Sequence, residues 1–202
     1  MSQGFFCVFF FADWKRIYIF AVVMQRLKHI CVWLSRIMHC RGFGIQSPSD
    51  YWVARYVINE HWPYYQYAML GQCDSWLQRK MGRLYFRLAN WCQPKFVVSD
   101  NYREYLLSGC RHAKVLSWHD YDGQKPDMIV LRMGDDIRNR LALLYNKVYD
   151  QSVLVIEDIW HDKEMWREIV ADKRTGVTFD LYYCGLVFFD KKRTKQHYII
   201  NF

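Results

Sequence analysis

The sequence is poor in the residues that turn a chain. Its 202 residues hold ten Gly and four Pro, few for the many tight turns of a β-sandwich, and no period of roughly 20–50 residues marks a repeat array. It has no C-x-x-C. The seven cysteines (Cys7, Cys31, Cys40, Cys73, Cys92, Cys110 and Cys184) are odd in number and scattered, which suggests neither a disulfide framework nor a zinc knuckle and fits a reducing, cytoplasmic setting. No uninterrupted apolar run reaches the roughly 20 residues that span a bilayer. The N-terminal runs, Phe5–Ala12 and Ile17–Met24, are split by Asp13, Lys15 and Arg16. No positive charge precedes the first run and no small-residue cleavage site follows it, so a signal peptide fits poorly.

Apolar and aromatic residues are plentiful. Hydrophobic residues are 52% and aromatics 18% of the chain, with 24% charged, enough for a substantial core and against disorder. The net charge of +8 is unevenly spread: residues 1–95 carry 12 Lys/Arg against 4 Asp/Glu, residues 96–202 carry 16 against 16. A basic first half can meet nucleic acid, an anionic membrane or an acidic partner. The commoner reason for such a surplus is a solvated helix surface. Arg26, Lys28, Arg36 and Arg41 punctuate Leu27, Ile30, Cys31, Trp33, Leu34, Ile37 and Met38 at helical spacing. Residues 1–40 thus read as an apolar and basic helical extension. Lying on a membrane, packing on the domain and arising from an early start codon all fit it.

A break at Arg41–Pro48 (RGFGIQSP) separates this extension from residues 41–202. A helix resumes at Tyr51–Ile58, and Trp62-Pro63 opens an aromatic loop to about Gly71. Asp74 or Ser75 can cap a helix over Trp76–Trp91. There Leu77, Met81, Leu84, Tyr85, Leu88 and Trp91 share one face, with Arg79, Lys80, Arg83 and Arg87 largely elsewhere. Short apolar runs then alternate with helical stretches: Phe96–Val98, Lys114–Trp118, Met128–Leu131 and Ser152–Ile156, separated by helices at Tyr102–Cys110 and Asp136 to about Tyr149. A helix at Lys163–Ala171 leads to Val177–Tyr183, Leu186–Asp190 and His197–Phe202, close together with no helix between. This pattern predicts an α/β, Rossmann-like three-layer sandwich, with a mostly parallel sheet and a C-terminal antiparallel hairpin. Val97, Val130, Val153 and Val155 are expected in the core.

This order of elements resembles a class I S-adenosylmethionine-dependent methyltransferase. More narrowly, it is similar to a bacterial methyltransferase-like group in which a basic N-terminal helix leads to a Gly-x-His-Ser-Pro-Phe motif, here Gly44-Ile45-Gln46-Ser47-Pro48-Ser49. The likeness runs through Lys80–Lys95, Pro126–Leu131, Ser152–Met165 and Val177–Phe202, covering about residues 41–202. It implies S-adenosylmethionine as cofactor, a methyl acceptor, and a Gly-rich turn after the first strand that lets backbone approach the ligand. The turn reads Ser99-Asp100-Asn101-Tyr102-Arg103-Glu104-Tyr105, without glycine. Asn101, tolerant of left-handed backbone, stands at the first glycine's place. The ribose-binding carboxylate is replaced by His119, with Asp120 adjacent; the next helix and strand are missing; and the Asp-Gly after Met128–Leu131 is Arg132-Met133.

On the resemblance, the cofactor-side candidates are Asp100, Asn101, His119, Asp120, Arg132 and Asp158, and the catalytic residues are unassigned. The three altered elements predict impaired or lost cofactor binding, with the pocket above the first two strands shallow or plugged by Tyr102, Tyr105 or Arg132. The alternative is a non-catalytic binding or scaffold module on the same fold, associated with membrane surfaces through its basic first half. Glu157, Asp158 and His161 could hold a divalent cation, but Asp158 or Asp162 capping the next helix is the commoner use, and no metal is expected. Trp62, Tyr64, Tyr65 and Tyr67 could stack on bases, yet no nucleic-acid motif accompanies them, and a packing cluster is the expectation.

Overall fold

The computed structural model describes residues 23–24, 26–134 and 136–202. The apolar run Phe5–Ala12 and most of Ile17–Met24 lie outside the described residues. The chain divides between Met38 and His39 into two units. In the first, residues 26–35 form a helix, α1, that leaves Leu27, Ile30 and Leu34 exposed. Among the described residues no helix is long and apolar enough to cross a membrane.

In the second unit, Ser47 caps α2 (Pro48–Val53), with Pro48 at its start, and a π-helical turn follows at Ala54–Ile58. The long helix α3 (Trp76–Cys92) begins with a capping box: Ser75 Oγ accepts from the Gln78 amide and Gln78 Oε1 accepts from the Ser75 amide. It stops at Gln93, whose φ of 44° is left-handed, just before Pro94. The remaining elements are β1 (Phe96–Ser99), α4 (Arg103–Gly109), β2 (Lys114–Leu116), β3 (Met128–Arg132), α5 (Ile137–Tyr145), β4 (Val153–Glu157), α6 (Lys163–Ala171), β5 (Thr178–Asp180), β6 (Cys184–Phe188) and β7 (His197–Ile199).

All seven strands form one sheet in the order β2-β1-β3-β4-β6-β5-β7. The first four are parallel, and β6 runs antiparallel to both β4 and β5. Alternation along the strands makes three layers. Val97, Met128, Val130, Val153 and Val155 face a cluster built with α2, α3 and α4. Phe96, Val98, Ile129, Leu131, Leu154 and Ile156 face a second cluster with α5 and α6. The four valines predicted for the core are at most 5% exposed.

The C-terminal runs form the expected antiparallel hairpin, β5 with β6, on one side of the sheet. β6, buried at all five positions, inserts beside β4, while β7, with its ends exposed, takes the edge parallel to β5. Burial on both faces demands an interior place, and the partly exposed strand suits the edge. One expectation needs correction: Arg87 does not lie on the solvated face of α3. It is buried, donating from Nε to the Val57 carbonyl (2.6 Å) and from a terminal nitrogen to the Ile58 carbonyl (2.9 Å). Those carbonyls end the π-helical turn and lack intrahelical partners, which is why a buried guanidinium is satisfied there.

Candidate functional site

After β1 the chain crosses to β2 on one side, then returns to β3 on the other. Such a reversal in an open parallel sheet leaves a crevice beyond the carboxyl ends of the strands. The residues that reach this end are set by the same alternation that builds the core. Ser99 follows Val97, Arg132 follows Val130 and Glu157 follows Val155 onto the α3 side, with Arg132 and Glu157 directly paired in register.

Glu157 turns inward. It is 8% exposed, and its Oε1 accepts from the hydroxyl of fully buried Tyr85 at 2.7 Å. Burial raises the Glu157 pKa, the Tyr85 hydrogen bond lowers it in part, and the neighbouring Asp158 charge raises it again. The Tyr85 phenol is pushed far up by burial and by Glu157. Asp158 has a left-handed φ of 57°, and its Oδ2 accepts from Arg132 Nε at 2.7 Å across the ends of β3 and β4.

Tyr102 completes the crevice wall. Its backbone is left-handed, φ 59°, at the cap of α4. The ring meets Tyr85 edge-on at 4.9 Å between centroids and lies 6.1 Å from Tyr105. Its hydroxyl is near enough to Glu157, Asp158 and Arg132 to feel them: burial and the carboxylates raise its pKa, and Arg132 lowers it. The left-handed residue of this turn is therefore Tyr102, not Asn101. Tyr105 points away, donating to Asp74 Oδ2 at 2.8 Å, and its phenol is pushed up to about 12 by burial and by Asp74. Each of these neighbouring phenols, Tyr85, Tyr102 and Tyr105, is thus driven towards its protonated form.

The six predicted site residues fall into separate groups. Asp100 ties loops together: its Oδ1 accepts from the Trp118 amide at 2.7 Å and its Oδ2 pairs with Arg140 at 3.6 Å. Asn101 contributes its carbonyl to Ser99 Oγ at 2.6 Å, and its side chain is exposed. His119 and Asp120 contact each other at 3.4 Å on an open loop, their side chains 97% and 66% exposed. Only Arg132 and Asp158 meet at the strand ends. Tyr85 and Glu157 are the site members that sequence reasoning assigned elsewhere, to the core and to a metal alternative. Their period-2 and helical-face positions were the available signal.

Beside the Arg132–Asp158 pair a cleft of about 670 Å³ opens between the starts of α5 and α6, walled by Ile137, Arg138, His161 and Met165. Among the described residues no three His, Cys, Asp or Glu side chains converge as metal ligands. Glu157 faces Tyr85, Asp158 faces Arg132, His161 lies against Trp160 at 3.7 Å, and Asp162 caps α6 by accepting from the Met165 amide at 2.9 Å. No protein-family profile matches the chain, and no curated protein is significantly similar to it.

Proposed function

We propose that this chain is a methyltransferase-like protein that has lost its S-adenosylmethionine site and serves as a non-catalytic binding module on that fold. The observation that supports this reading is Tyr102. A phenol ring, packed on Tyr85 and close to Glu157, stands where the fold needs open backbone for the cofactor. The rest of the implied binding set does not compensate. Both Asp100 oxygens are engaged by Trp118 and Arg140, and Asp120 accepts from the Ser117 hydroxyl and contacts His119 on an exposed loop. These residues do not fit the cofactor, and no reaction step is routed through it.

Thermal melting with and without S-adenosylhomocysteine tests the reading. A ligand present at 100 times its dissociation constant stabilises a fold by about 2.7 kcal/mol, roughly 5–10 °C for a domain of this size. At millimolar ligand the melting temperature is expected not to move. A rise of more than about 3 °C on this scale overturns the proposal. Membrane-surface contact through residues 1–40 belongs to the same reading, supported by the exposed Leu27, Ile30 and Leu34 on α1 beside Arg26. Co-sedimentation with anionic vesicles at low salt checks it, and a chain that stays in the supernatant removes that part.

A further inference from the structure

A second cluster of cations has no role in the crevice. Arg79, Lys80, Arg83 and Arg87 follow one another along α3 at spacings of one, three and four residues, close enough in angle to form one stripe. Together with the loop after Ile58 and the terminal Phe202, they line a cleft of about 820 Å³, within the range of small-molecule sites.

The charge in this cleft is unbalanced. Its one side-chain carboxylate among the described residues, Glu60, accepts from the Tyr64 hydroxyl at 2.9 Å. Arg87 is spent on the Val57 and Ile58 carbonyls. Among the described residues Arg79, Lys80 and Arg83 make no ion pair with any carboxylate. Lys80 is half-buried, its ammonium 4.8 Å from the Trp76 ring centroid and 4.5 Å from that of Phe202. Burial, then Arg87, lowers its pKa to about 8. An ammonium held between two ring faces without a carboxylate is partly desolvated and under-neutralised, which favours an incoming anion. Arg83 lies over Tyr67 at 4.8 Å, which fixes its guanidinium at the same wall.

The cleft also has an aromatic side. Tyr64 and Tyr67 pack edge-on against Phe86 at 5.0 and 5.2 Å and form a rigid wall. Trp62 and Tyr65 are 73% and 74% exposed at the opening, available for a planar group to stack. Cations and exposed rings lining the same cleft fit a ligand with a phosphate and a flat ring. We propose that this cleft binds a mononucleotide, its phosphate on Arg79, Lys80 and Arg83 and its base against Trp62 and Tyr65. The site shares no residue with the crevice, so it stands whether or not the crevice has lost its cofactor.

Calorimetric titration of the full chain with adenosine monophosphate tests this, with adenosine, inorganic phosphate and a short single-stranded oligonucleotide as separate arms. Saturable binding of the mononucleotide is expected, tighter than adenosine or phosphate alone. Lys80→Gln and Arg83→Gln should each weaken it about tenfold or more, the scale of one lost charged hydrogen bond. Lys173→Gln, an equal charge change on an exposed residue outside the cleft, should leave it unchanged. Melting temperatures separate lost binding from lost folding, and exposed Arg83 carries the comparison if Lys80→Gln melts early. Absence of mononucleotide binding at millimolar concentration overturns the proposal. So do equal affinities in the Arg83 variant, inorganic phosphate binding as tightly as the nucleotide, or binding of the oligonucleotide alone. Displacement by S-adenosylhomocysteine would place the nucleotide in the crevice and overturns it as well.

Discussion

Tyr102 holds a left-handed backbone, φ 59°, which costs a residue with a side chain roughly 1–2 kcal/mol and costs glycine little. Its ring offsets this through contact with Tyr85 and Tyr105. The two contributions separate in a pair of variants. Tyr102→Ala and Tyr102→Gly lose the same ring, so the glycine variant should be the more stable of the two by about 1 kcal/mol in urea denaturation. Equal stabilities would mean that the turn is not held in that conformation. Glu157 supplies a second residue-level test, through pH. Its folded pKa is raised, chiefly by burial, so its ionised form opposes folding. That penalty is absent below the unfolded carboxyl range and sets in as pH rises through the folded value. Glu157→Gln keeps an oxygen to accept from Tyr85. It should therefore be more stable than the wild type at pH 7, with the advantage shrinking towards pH 4. An advantage that is constant with pH would contradict the assignment.

At the level of elements, α3 and α4 approach closely where α4 ends in Gly109. A Cβ there would lie 2.3 Å from the Phe86 carbonyl oxygen and 3.1 Å from Ala89 Cβ. Because backbone on α3 cannot move aside like a flexible side-chain end, Gly109→Ala should cost about 1–3 kcal/mol, read as an earlier denaturation midpoint. A midpoint unchanged from wild type would show that the two helices can separate without loss. The elements themselves were largely legible in the sequence. The runs at Phe96–Val98, Met128–Leu131 and Ser152–Ile156 are apolar on both faces, and the helix at Lys163–Ala171 begins after a capping Asp162; both are local signals. Arg87 was not legible, because a charge on a helix usually seeks water and its carbonyl partners are some 30 residues away in sequence. The place of β6 between β4 and β5 also escaped, since strand order is set by distant pairing. In the site, the missing glycines were legible as a lack. That Tyr102 would turn left-handed onto Tyr85 depends on α3 packing, which no local pattern encodes.

For the whole molecule, the division between Met38 and His39 suggests where residues 1–38 can be removed. His39 and Cys40 must stay: the His39 carbonyl accepts from the Asn201 amide at 2.9 Å, and Cys40 bridges to Asn201. A chain of residues 39–202 should remain soluble and melt cooperatively, because both core clusters lie within it. Broad, non-cooperative melting would make the N-terminal unit part of the fold. The basic surplus of the first half would be reduced but not lost, since Arg79, Lys80, Arg83 and Arg87 remain. On the proposed function, the crevice at the carboxyl ends of β1 and β3 is closed by side chains and does not serve the cofactor of the family that the sequence resembles. Isothermal titration of the full chain with S-adenosylmethionine tests it most directly. No saturable binding tighter than about 50 μM, roughly −6 kcal/mol, is expected; a dissociation constant below that value overturns the proposal and restores the active methyltransferase reading.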